Sequence, residues 1–123
     1  MASGAIRLGR AAPCLAVRDI ARATAFYESV FGMAKTFENG DPVGFVIMKR
    51  DDAELHLTLV SEHAGASYNV MHLIVDGADE IYRRCETAAG ARIVSKLRDA
   101  PWGMRTFVVA DPDGNRIDVG QPL

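Results

Sequence analysis

The sequence predicts an α+β fold: two βαβββ units forming a curved mixed sheet with a concave ligand cavity. Three observations carry this. "LAVRDIARATAFYESVFGM" (15–33) and "LIVDGADEIYRRCETAAGA" (73–91) share a layout, with Leu15, Val17 and Gly32 matching Leu73, Val75 and Gly90 at an offset of 58. "FVIMKRDDAELHLTL" (45–59) and "FVVADPDGNRIDVGQ" (107–121) match at an offset of 62, pairing Phe45 with Phe107, Ile47 with Val109, Asp51 with Asp113 and Leu55 with Ile117. Finally, both halves change hydrophobic period in the same order, from strand alternation to helical spacing and back.

Each element follows from its residues. Residues 1–13, with small side chains and two arginines, form a loose arm. Leu15 and Val17 mark the first strand. Ile20, Ala23, Tyr27 and Val30 recur at helical spacing, so a helix is expected near 19–31. Asp19 is its N-cap, and Gly32 takes the left-handed position past its end. A weak strand (AKTFE) comes next, then a strand, a tight turn at Asp51-Asp52 and another strand. The loop 61–67 separates the units, placing them at about 11–60 and 68–121 within one domain spanning 1–123. In the second unit, Ala78, Ile81, Cys85 and Ala88 define a helix near 77–89, capped by Asp76 and stopped by Gly90. A weak strand (RIVSK), a longer loop around RDAPWG and a second hairpin turning at Asp113-Gly114 complete it. Leu15, Val17, Ile20, Tyr27, Leu55, Leu57, Leu73, Val75, Ile81, Ile117 and Val119 are expected to be buried.

Composition narrows the function classes. The chain has 123 residues, 49% of them hydrophobic, which fits one globular domain with a real core. A net charge of −2 with interspersed signs gives no basic patch for nucleic acid and no polybasic membrane segment. No apolar run reaches membrane-spanning length. Cys14 and Cys85 sit in apolar surroundings outside any CxxC pair, which reads as two buried free thiols and a cytoplasmic setting. No serine lies in a nucleophile elbow, and there is no glycine-rich phosphate cradle.

Alternation assigns the faces. Leu55, Leu57 and Leu59 point under a helix, so His56 and Thr58 point away. Ile117 and Val119 do likewise, leaving Arg116 and Asp118 opposite. In the first strand Ala12, Cys14 and Ala16 lie opposite the helix, and in the fifth Val70, His72 and Ile74 do. Under the internal offsets His56 corresponds to Asp118, and Cys14 to His72. All four are expected on the concave face, with His56 and Asp118 facing each other across the cavity.

Two of these stretches, "LAVRDIARATAFYESVFGM" and "TFVVADPDGNRIDV", resemble the vicinal oxygen chelate superfamily. It includes glyoxalase I, extradiol dioxygenases and bleomycin-resistance proteins. The similarity runs from Pro13 nearly to the end. "APWGMRTFVVADPDGN" looks most like the bleomycin-resistance branch. The resemblance implies a small-molecule-binding protein that sequesters an aromatic or antibiotic-like ligand in a cavity at a homodimer interface. Its alternative implication is a metal-dependent lyase, isomerase or dioxygenase. The metal enzymes of the family take one ligand from each of four strands, and by position these fall at Ala12, His56, Val70 and Asp118. Ala12 and Val70 cannot ligate, which argues against a cofactor. A shifted set of Cys14, His56, His72 and Asp118 is the alternative for a divalent zinc, nickel, manganese or iron ion. It requires ligands displaced by two strand positions, about 6.5–7 Å.

The expected ligand-binding residues are therefore His56, Asp118, His72, Cys14, Trp102, Phe45 and Phe107, with no resident metal. Trp102 can stack on a planar ligand or plug the cavity mouth, whereas Phe45 and Phe107 read as core or cavity wall. Arg105 and Arg116 are candidates for pairing with an anionic substrate or are simply solvated. His63 reads as solvated, and Asp111, Pro112, Asp113 and Gly114 as turn-building. In a third reading His56 or Asp118 acts as a general base without metal. The weak net acidity suits a strongly cationic drug such as bleomycin poorly.

Overall fold

The computed structural model describes residues 5–123. The first unit runs β1 (Cys14–Val17), α1 (Ile20–Phe31), β2 (Ala34–Asn39), β3 (Phe45–Arg50) and β4 (Ala53–Leu59). The second runs β5 (Asn69–Ile74), α2 (Ala78–Thr87), β6 (Arg92–Ala100), β7 (Met104–Ala110) and β8 (Arg116–Pro122). Residues 5–13 of the expected arm form no helix or strand, and residues 1–4 lie outside the described residues.

The strands form two four-stranded sheets, ordered β1-β4-β3-β2 and β5-β8-β7-β6, rather than one continuous sheet. In each, the first strand lies parallel to the last and the hairpin strands are antiparallel. At the β1 edge the carbonyl of Ala16 accepts from Asn115 Nδ2 of the second unit at 2.8 Å. β5 is itself irregular between Asn69 and Met71, which turns Val70 toward the core instead of the open face.

Helix-side residues of both sheets merge into one core. Leu15, Val17, Val46, Met48, Leu55 and Leu57 join Phe107, Val109, Ile117 and Val119, with Phe26, Tyr27, Val30 and Cys85 filling between them. Of the expected core, Ile20, Leu73, Val75 and Ile81 are only half-buried. The last three line an open groove of about 550 Å³ between the units, so one flank of each meets solvent. Cys14 corrects another expectation: it is exposed, and only Cys85 is a buried thiol.

The caps divide between local and tertiary partners. Asp19 caps α1, its carboxylate accepting from the Arg22 amide at 3.0 Å, and Gly32 ends the helix at φ 66°. Asp76 does not cap α2. That helix starts after Gly77, and the Ala78 amide donates instead to Gln121 Oε1 on β8 at 2.9 Å. Nor does Gly90 end it: the helix stops at Thr87, and Gly90 serves the following turn at φ 78°. The expected loop around RDAPWG is mostly strand, since β6 continues to Ala100 and only residues 101–103 turn.

The turn 111–115 joins the units. Asp111 Oδ1 accepts from the amides of Asp113 and Asn115 at 2.8 and 2.9 Å, and its Oδ2 accepts from the Tyr27 hydroxyl at 2.8 Å. Asp113 Oδ1 accepts from the Arg18 amide at 2.9 Å and from Arg22 Nη2 at 2.6 Å. His63, expected in solvent, is half-buried and hydrogen-bonds Asn115 Oδ1 through Nε2 at 2.9 Å. These aspartates build the turn and also clamp it to α1 and the end of β1.

Candidate functional site: the open faces of the two sheets

Strand alternation leaves each sheet one face free of its helix. On the first sheet, Cys14 and His56 are neighbours across β1 and β4, and Ile47 flanks His56 on β3. Glu54 precedes His56 by two residues and shares its face. Its Oε2 accepts from His56 Nε2 at 2.7 Å, while Oε1 accepts from Arg10 at 2.6 Å and lies 3.6 Å from Lys49. The His56 hydrogen bond, then that of Arg10, pulls the Glu54 carboxyl down to about 2. Phe45 sets its ring edge-on to the imidazole at 5.3 Å. Cys14 Sγ lies 3.0 Å from Thr58 Oγ1. Phe37 borders this face, 51% exposed.

The second sheet carries the matching pair. His72 and Asp118 are register partners on β5 and β8, with Nδ1 and Oδ2 3.1 Å apart. The Thr106 hydroxyl lies 2.7 Å from Asp118 Oδ1 and 2.9 Å from the Val119 carbonyl. Ile74 lies on the same face, 63% exposed. Trp102 sits in the 101–103 turn, with the Arg98 guanidinium 5.2 Å from its ring centroid, a cation–π contact.

The structure thus brings Asp118 to His72 and His56 to Glu54. No hydrogen bond or ion pair among the described residues joins His56 to Asp118. Phe107 lies in the core, 1% exposed, with Tyr82 edge-on at 5.0 Å. The reason is a shift in register. Phe107 pairs with Val119 as Val46 pairs with Leu57, so β3 and β7 correspond at an offset of 61 while β4 and β8 correspond at 62. Phe107 is the counterpart of buried Val46, not of Phe45, and one residue of slip exchanges the faces. Sequence reading missed Glu54 and Thr106. Glu54 was accessible from its two-residue spacing to His56, whereas Thr106 needed the β7–β8 register. Arg105 is occupied, with Nε 2.8 Å from Asp99 and Nη1 3.5 Å from Asp79.

Two of the four strand positions expected to hold metal ligands carry none. Ala12 and Val70 offer no ligand atom. The ring nitrogen Nε2 of His56 is held by Glu54, and both Asp118 oxygens have partners. Among the described residues, no group of three or more His, Cys, Asp and Glu side chains converges on one point.

Paired βαβββ units with helices on one side and an open face on each sheet define a duplicated α+β sheet protein. Residues 7–119 match the Glyoxalase/Bleomycin resistance protein/Dioxygenase superfamily, and the chain belongs to it. It is 31% identical to an uncharacterised protein of Mycobacterium bovis over 90% of this chain and 82% of that one. It is 24% identical to a bleomycin resistance protein of Geobacillus stearothermophilus, over 90% and 95% of the two chains. A bleomycin-binding protein solved in complex with bleomycin superposes with a TM-score of 0.74 at 27% identity, covering 94% of this chain and all of that one.

Proposed function

We propose that this protein binds and sequesters a small aromatic or antibiotic-like molecule without a resident metal. In this reading the cavity closes when two copies associate as a cytoplasmic homodimer. The observation that carries it is the pair of open sheet faces, each presenting a histidine–carboxylate pair beside exposed apolar side chains, Phe37 on one and Ile74 on the other. Apolar sheet surface of this kind is stabilised by being covered. A second copy and a ligand together supply that cover. Glu54 holds Nε2 of His56, and Asp118 with His72 supplies charge-assisted hydrogen bonds. The similarity to bleomycin-binding and bleomycin resistance proteins supports the same class.

A thermal-shift and calorimetric screen of aromatic metabolites and glycopeptide antibiotics tests this, with metal analysis of untagged protein and light scattering. Saturable binding weakened by His56→Ala and Asp118→Asn, with the fold retained, is expected. A stoichiometric transition metal lost in those variants would instead establish the metal-dependent lyase, isomerase or dioxygenase. A monomer at micromolar concentration would remove the interface.

A further inference from the structure

We infer that the open face of the second sheet recognises an oxyanion (a carboxylate, phosphate or phosphonate group on the bound molecule) through Arg116 and Arg92. The register places them together. Arg116 on β8 lies opposite Ala110 on β7, and Ala110 lies opposite Arg92 on β6. By register and alternation all three share the face that carries Asp118, with Ile117 and Val109 on the helix side and Ala110 itself buried at 1% exposure. Neighbouring strands are about 4.8 Å apart, so the two arginine Cα atoms stand about 10 Å apart astride a side chain no larger than a methyl. Two guanidinium groups converge readily across such a gap. Neither arginine has an ion pair or hydrogen bond within the described residues, although the chain pairs Arg10, Arg18, Arg22, Arg83, Arg84 and Arg105.

Arg116 shows the demand most directly. Its Nε is buried with no partner among the described residues. A buried guanidinium nitrogen without an acceptor is costly, and two oxygens of a carboxylate, phosphate or phosphonate meet that need with two parallel hydrogen bonds. Asp118, the carboxylate that the strands present on this face, is engaged by His72 and Thr106 and makes no ion pair with Arg116 among the described residues. Two rows further along the sheet, Arg98 adds a third cation without an ion partner, resting on Trp102. A cationic ligand would meet these three charges with only the Asp118 carboxylate on this face against them, and an anionic aromatic ligand would meet both the charge and the ring.

The inference rests on the reading of the open faces as binding surfaces, so the test separates the two. Phenylphosphonate, benzoate, benzamide and benzamidine share a ring and differ in charge. Each is titrated calorimetrically at constant ionic strength, to hold screening fixed. Saturable binding of phenylphosphonate or benzoate is expected, with benzamidine binding at least about tenfold weaker. Arg116→Met should lower anion affinity about tenfold or more and Arg92→Ala several-fold, while Arg105→Ala, whose partners are Asp99 and Asp79, leaves it unchanged. Arg92 is exposed, so its variant tests the site without threatening the fold. Binding of benzamide or benzamidine without the anions overturns the oxyanion site and spares the binding reading. Anion affinity unchanged in folded Arg116→Met and Arg92→Ala proteins also overturns it. No saturable binding of either anion at millimolar concentration overturns it as well, and silence from all four probes counts against both.

Discussion

Replacing Tyr27 with Phe isolates one bond between the two units. The ring is fully buried and packs edge-on to Phe26 at 5.0 Å and stacked on Phe31 at 6.0 Å. Phenylalanine keeps that packing and removes only the hydroxyl that donates to Asp111 Oδ2 at 2.8 Å. Hydrogen bonds to charged groups contribute about 1.5–3 kcal/mol. Asp111 Oδ2 keeps its second donor, Asn115 Nδ2 at 3.0 Å, so the loss falls near the middle of that range, about 2 kcal/mol. Unfolding entropy is about 2.1 cal/mol/K per residue, or roughly 0.26 kcal/mol/K for this length, so the melting temperature should drop by about 8 °C. Urea titration and thermal melts at matched protein concentration read both quantities. Burial and the Asp111 charge also push the Tyr27 phenol well above its usual range. A raised acid contributes stability that is present below the unfolded pKa near 10 and lost as pH rises beyond it. Tyr27→Phe should therefore show a shallower alkaline limb than the wild type. A variant as stable as wild type within about 0.5 kcal/mol, with the same alkaline limb, would refute the role of this bond in joining the units.

The Glu54 carboxyl, lowered to about 2 by His56 and Arg10, contributes stability above its ordinary value near 4.5 that disappears as pH falls from there toward 2. Glu54→Gln should flatten that acid limb in circular dichroism, and an unchanged acid midpoint would count against the pairing. The two thiols should separate cleanly with a thiol reagent near pH 8. Cys14 is exposed and reacts at once, while Cys85 is buried, with its thiol pushed up to about 12, and reacts only on unfolding. Two fast thiols in the native protein would contradict this burial.

What the sequence disclosed and what it withheld divide along one physical line. Face assignment depends only on alternation within a strand, so Leu15, Leu55, Leu57, Ile117 and Val119 were legible as core and His56, His72 and Asp118 as open-face residues. Correspondence between strands depends on how each hairpin closes. Asp51 and Asp52 close the first in two residues, whereas the second opens at Ala110 and resumes at Arg116. The longer turn moves β7 by one residue relative to β8, and no count of matching side chains within β8 reveals it. Phe107 went to the core for that reason.

That same turn shows why tertiary partners outrun local rules. Its Asp-Pro-Asp-Gly run announces a tight turn, but a turn needs only one carboxylate over its own amides, and here there are two. Asp111 supplies the local bonds and Asp113 is left over, fully enclosed, with Arg18 and Arg22 on it. A tyrosine in the middle of an apolar helix face posed the complementary question, since a buried phenol hydroxyl requires an acceptor. Tyr27 and the surplus turn carboxylate were thus two demands visible in the sequence: the fold meets the first with Asp111 Oδ2 and the second at Asp113 Oδ1 only, with Oδ2 left buried and without a partner among the described residues. Arg116 poses the same kind of question on the open face, with a buried nitrogen and no acceptor in the described chain. There the oxyanion we infer would supply the missing partner.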